Sequence, residues 1–113
     1  MIKNQFLEYI LELLDPAGGI SSRRMFGGYA VYKNGLAIAL IFQDEIYFKV
    51  DDSNRADYLA VDSKPFIYEK QGRQITISNW SLPVEILEDS ERLMEWTEKA
   101  YQVALRAKKK QSY

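Results

Sequence analysis

Tyr29-Ala30-Val31-Tyr32-Lys33-Asn34-Gly35-Leu36-Ala37-Ile38-Ala39-Leu40-Ile41-Phe42 is the stretch that decides the fold class. Asn-Gly is the dipeptide best suited to the positive φ angles of a two-residue type I′ turn, and here it separates two β-prone runs. Antiparallel strands over residues 29–32 and 36–42 are the natural result. The second run is apolar at nearly every position, which reads as a central strand covered on both faces or as one buried in an interface. Gln43-Asp44-Glu45 makes the next polar turn. Residues 46–50 then set Tyr47 and Lys49 in alternation with Ile46, Phe48 and Val50, the period of a third strand.

Away from this hairpin the period changes. On the N-terminal side, Phe6, Leu7, Ile10, Leu11 and Leu14 recur at helical spacing until Asp15-Pro16 and Gly18-Gly19 halt them, and residues 18–24 read as a loop. On the other side, Asp51-Asp52-Ser53-Asn54 offers acceptors for free helix N–H groups ahead of a short helix carrying Tyr58, Leu59 and Val61. Phe66-Ile67-Tyr68 and residues 74–78 flank a hairpin turn at Lys70-Gln71-Gly72-Arg73. Leu82-Pro83 returns the chain to helix, and Asp89-Ser90-Glu91 starts a long closing helix with Leu93, Trp96, Ala100, Val103, Ala104 and Ala107 on its apolar side. The order α-β-β-β-α-β-β-α predicts the α+β class, a mostly antiparallel sheet of about five strands packed by helices. One domain over residues 1–113 is expected, with a flexible basic end from about residue 108.

A chain of 113 residues buries roughly two-thirds of its unfolded surface, enough for a core without staples. With 0 Cys and 0 His, disulfides, thiolate or imidazole metal sites, and Cys-His or Ser-His-Asp catalysis are excluded. Only carboxylates and carbonyls remain for hard cations. A net charge of -1 argues against a basic field over the whole surface, so any phosphate contact has to come from a local patch. The N-terminus has no secretory pattern, and no apolar run approaches the roughly 20 residues of a membrane span. A cytoplasmic protein without membrane association is expected.

The residue sets that invite a function each carry a structural alternative. Arg23, Arg24, Met25, Phe26, Gly27, Gly28 and Tyr29 form a candidate interaction surface, because guanidinium forks bind carboxylates and phosphates bidentately and a Gly pair bares backbone N–H groups. The alternative is a bulge or a close backbone approach at Gly-Gly, with Met25 and Phe26 filling the core. Arg92, Lys99 and Arg106 at heptad spacing, with Lys108, Lys109 and Lys110, form a candidate basic patch. Cations at a helix C-terminus also simply complement its dipole. Tyr29, Tyr32, Tyr47, Phe48, Phe66 and Tyr68 put aromatics on several strands, which invites comparison with sheets that stack single-stranded bases. Core packing explains most of them, the aromatic run of an RNA-recognition motif is missing, and a dimer interface is a further use for some of the tyrosines. Asp51 and Asp52 read as helix-capping residues rather than metal ligands. No catalytic, cofactor-binding or metal-ligating residue is expected.

The ordered set Arg23-Arg24-Met25-Phe26-Gly27-Gly28-Tyr29, Ala39-Leu40-Ile41, Tyr47-Phe48-Lys49-Val50, Pro65-Phe66-Ile67-Tyr68 and Trp80-Ser81-Leu82-Pro83 resembles the N-terminal domain of the TfoX/Sxy competence regulators. The resemblance runs from about Arg23 to Ala107, nearly the whole chain. It departs at Asn79, where relatives commonly have Tyr, and at residues 61–63, where a Gly is usual. It implies an α+β fold with helices packed on one sheet. It also implies a stand-alone version of a domain that, in the full-length regulators, precedes a separate C-terminal domain and promotes competence-gene transcription with the cyclic-AMP receptor protein. On that footing the chain is expected to be a non-enzymatic regulatory or protein-interaction domain in transcriptional regulation. A protein partner in the transcription machinery is the main expectation, with a homodimer also in view. Direct nucleic-acid binding through the basic patch is the alternative.

Overall fold

Asn34 and Gly35 take φ angles of 50° and 80°, the pair of positive values that closes a tight hairpin between β2 (Gly28–Lys33) and β3 (Leu36–Phe42). The same geometry recurs at Gln43 and Asp44, with φ of 50° and 60°, and at Gln71 and Gly72, with φ of 53° and 77°. These turns join β3 to β4 (Glu45–Lys49) and β5 (Pro65–Lys70) to β6 (Arg73–Ser81). The computed structural model describes residues 4–25 and 27–111.

All strand pairings are antiparallel, in a six-stranded sheet of order β1-β2-β3-β4-β6-β5. The α+β class stands, with six strands rather than about five. The additional one is β1 (Ile20–Met25), in the segment expected to be a loop. Its sequence, Ile-Ser-Ser-Arg-Arg-Met, has no apolar alternation because β1 is an edge strand: it pairs with β2 alone, and both arginines are exposed.

The helical elements are α1 (Gln5–Leu14), a single 3-10 turn (Asp15–Ala17), α2 (Arg55–Ala60), α3 (Val84–Leu87) and α4 (Ser90–Gln111). Asn4 caps α1 by accepting the Leu7 N–H at 2.9 Å. α4 continues through Lys108, Lys109 and Lys110. Directly paired residues share a face of the sheet. Tyr29, Val31, Ala39, Ile41, Ile46, Phe48 and Trp80 are linked by pairing onto one face. With Ile10, Leu14, Ile86, Leu93, Trp96 and Ala100 they build the core, so the helices layer on that side. Fully burying side chains such as Ile10, Phe48 or Leu93 contributes about 1.5–3 kcal/mol each.

A register shift between Val31 and Tyr32 turns Ile38 as well as Ala39 into the core, which explains two successive buried positions in β3. The other side of β3 is half-buried at Ala37, Leu40 and Phe42. β3 is therefore central in the sheet but has helices on one face only.

One polar anchor ties the layers together. The Lys33 ammonium points to the helix face, where it donates to the carbonyls of Ala17 at 2.6 Å and Gly18 at 3.0 Å and lies 5.2 Å from the Tyr101 ring centroid. Beside it the Asn34 amide donates to Tyr101 Oη at 3.3 Å. The hairpin tip is thus fastened both to the end of the 3-10 turn after α1 and to α4.

Candidate functional site

The signature segment occupies the β1 edge and its turn into β2. Gly27 has φ of 81°, as the turn requires, and Gly28 lies so close to β3 that a Cβ there would run into the Ile41 carbonyl oxygen. The Gly pair therefore has a backbone reason for being Gly. Arg24, Met25, Gly27, Gly28 and Tyr29 line a shallow hollow with Asn4. Arg23 pairs with Ala30 and Arg24 with Tyr29, so the two guanidinium groups leave opposite faces of the strand. Neither has an ion-pair or hydrogen-bond partner among the described residues. Phe26 lies outside the described residues.

The α4 cations are arranged differently. Arg92 sits over the Trp96 ring at 6.0 Å. Lys99 Nζ reaches Asp57 at 2.8 Å and Glu95 at 3.7 Å. The hydrogen bond to Asp57 raises the Lys99 pKa above its ordinary value, against a smaller opposing effect of burial. Arg106 binds Asp51 at 3.2 Å and donates to Ser53 Oγ at 2.6 Å. Lys109 and Lys110 are exposed near the helix end. Lys99 and Arg106 thus meet carboxylates from α2 and from the loop before it.

Asp51 closes that loop. Its side chain accepts from Ser53 N at 2.8 Å and from Arg106, while its own N–H donates to Asn54 Oδ1 at 2.9 Å. Burial opposes ionisation of Asp51, but the bonds from Ser53 and Arg106 and the Arg106 charge together hold its carboxyl below the usual carboxylate range. Asp52 pairs with Arg55. Neither carboxylate caps α2 as the sequence led one to expect, since its N-cap is Asn54 and no side chain bonds to its free N–H groups. Asp51 instead ties the loop before α2 to α4, a link that no local pattern announces. No cluster of acidic residues suited to hold a metal ion occurs among the described residues, and no helix there is long and apolar enough to cross a membrane.

The aromatics divide between the two faces of the sheet. Tyr29 and Phe48 face the helices, whereas Tyr32, Tyr47, Phe66 and Tyr68 face the opposite side together with Phe42. Phe42 is a member that sequence reading passed over; its pairing with Glu45 across the hairpin is the signal that places it.

A six-stranded antiparallel sheet with helices on one face and two exposed arginines on its edge strand β1 makes a small α+β domain. The family model described as TfoX N-terminal domain matches residues 12–104, and the chain belongs to that family. A comparison with curated proteins finds no match.

Proposed function

We propose that this domain is a non-enzymatic regulatory module that acts in transcriptional control by contact with a protein partner along β1. The observation that carries the reading is the free edge of β1 with Arg23 and Arg24 exposed and unpaired among the described residues. An unpaired edge offers a row of backbone donors and acceptors to an added strand, and guanidinium groups leaving both faces select carboxylates that flank it. Family membership supports the regulatory setting. Internal carboxylates already engage Lys99 and Arg106, which favours β1 over α4 as the contact.

The test is capture on tagged protein from nuclease-treated lysate of the source cells, wild type against Arg23→Ala/Arg24→Ala. A protein retained by the wild type and lost with the double variant is the expected result. Identical recovery with both proteins would refute contact through β1.

A further inference from the structure

The sheet face away from the helices has a composition of its own, independent of the β1 edge contact. Its centre is an aromatic cluster. Phe66 reaches across β6 to put its ring 4.7 Å from Tyr47 and 5.6 Å from Phe42, edge-on to both. Tyr68 stacks beside Phe66 at 6.0 Å with an angle of 29° between the rings, and it is 40% exposed. The same pairings put Arg23, Lys49, Lys70 and Arg73 on this face. None of these cations has an ion pair among the described residues. Glu45 is the carboxylate that the strands carry here, and it already accepts the Tyr47 hydroxyl at 2.6 Å.

That charge pattern selects among occupants. A second copy seated symmetrically would bring this cation set against itself, with like charges desolvated between the two sheets. Double-stranded nucleic acid would satisfy the cations but leave the rings idle, since its bases are stacked on one another. A single strand uses both features, because phosphates meet ammonium and guanidinium groups while unstacked bases lie on aromatic rings. Lys49 fits this reading: burial draws its pKa below the ordinary lysine value, with no counter-charge to restore it.

We propose that the open sheet face binds single-stranded nucleic acid, with bases on Phe42, Tyr47, Phe66 and Tyr68 and phosphates on Lys49, Lys70 and Arg73. The ring cluster spans β3, β4 and β5, and the β5–β6 hairpin supplies the cations Lys70 and Arg73 at one end. Stacking tolerates any base, so sequence selectivity is weak.

Fluorescence anisotropy of the full chain with labelled oligouridylate and oligothymidylate tests the assignment, with a duplex of equal length as comparison. Saturable binding to the single strands is expected, falling steeply between about 50 mM and about 200 mM salt as counterions are released. Tyr68→Ala should weaken binding by about fivefold or more, the loss of one stacked base. Lys70→Glu/Arg73→Glu, placed at a hairpin turn where folding is tolerant, should weaken it further and flatten the salt dependence. Lys109→Glu/Lys110→Glu on α4 is the charge-matched control and should bind as wild type. Absence of binding at the lower salt, equal affinity for duplex, or unchanged affinity in the Lys70→Glu/Arg73→Glu protein would each overturn the proposal. So would sedimentation as a dimer that Tyr68→Ala dissociates, which would give the face to a second copy.

Discussion

Tyr58 and Trp96 meet ring against ring, with centroids 4.6 Å apart and planes tilted by 57°. Trp80 approaches Tyr58 from the sheet at 6.4 Å, so the short α2 is held by one aromatic side chain wedged between α4 and β6. That side chain is 1% exposed, and its hydroxyl has no hydrogen-bond partner among the described residues. Burial, with the Asp57 charge adding to it, pushes the phenol pKa well above the usual tyrosine value. The ring stabilises this junction and the hydroxyl does not. Tyr58→Phe is therefore expected to raise stability by about 1 kcal/mol, whereas Tyr58→Ala should cost about 3–5 kcal/mol. Urea unfolding of the two variants beside the wild type measures both; a loss in Tyr58→Phe would mean that the hydroxyl has a partner.

The Gly pair of the signature makes a second, more local prediction. Gly28→Ala drives a methyl group into the Ile41 carbonyl and disturbs the β2–β3 ladder, at an expected cost of about 2–3 kcal/mol. Gly35→Ala meets no atom within 4 Å and pays only for its φ of 80°, about 1 kcal/mol. Midpoints of thermal unfolding should rank wild type, Gly35→Ala, Gly28→Ala in descending order. The reverse order would remove close approach as the reason for Gly28.

Lys33 tests whether a buried ammonium holds the layers together. It is 9% exposed and donates to the carbonyls of Ala17 and Gly18 at the end of the 3-10 turn after α1. Lys33→Met keeps the length of the stem but strands those carbonyls and removes the charge over Tyr101, at an expected cost of about 2–3 kcal/mol. Hydrogen exchange should show the loss concentrated in the 3-10 turn after α1 and in the β2–β3 hairpin. A uniform change across the sheet would point to some other origin.

The hairpins were legible because their turn residues are local: Asn34-Gly35 and Gln71-Gly72 need positive φ wherever the rest of the chain goes. The helices were legible from period. β1 was not, since an edge strand with Ser and Arg on both faces has no alternation to read, and its identity depends on pairing with β2. The division of the aromatics was hidden for a related reason. A register shift at Val31/Tyr32 resets which positions of β3 share a face with β2, and no Gly or Pro marks that step. The partners of Lys99 and Arg106 were invisible because Asp57 and Asp51 are distant in sequence and arrive by tertiary packing.

The Arg106 contact with Asp51 gives a pH-dependent signature. A carboxyl held below its unfolded value contributes stability that is present above the ordinary carboxylate range, about pH 4, and is lost as pH falls through the lower folded value. Arg106→Ala removes part of the cause, so the Asp51 carboxyl should titrate closer to an ordinary aspartate and the acid limb of the stability profile should become shallower. Carbon-13 detected titration of the Asp51 side chain measures the shift directly. An Asp51 midpoint unaffected by Arg106→Ala would leave Ser53 as the sole source of the perturbation.

Tyr47 carries the corresponding alkaline signature on the open face. Burial first, then the hydrogen bond to Glu45 and the charge of that carboxylate, together raise its pKa from 10.0 to about 12. The folded chain thus holds the phenol proton more tightly than the unfolded chain does. The resulting stability is complete below about pH 10 and disappears as pH rises through about 12. Glu45→Gln removes the carboxylate charge while keeping an acceptor near the hydroxyl, so the Tyr47 midpoint should fall toward 10 without returning fully, because burial remains the larger cause. Ultraviolet difference titration of wild type, Glu45→Gln and Tyr47→Phe isolates this tyrosine from the others. A Tyr47 midpoint near 10 in the wild-type protein would mean that its ring is fully open to water and the Glu45 bond absent, and the aromatic cluster around Phe66 would then lack its central contact.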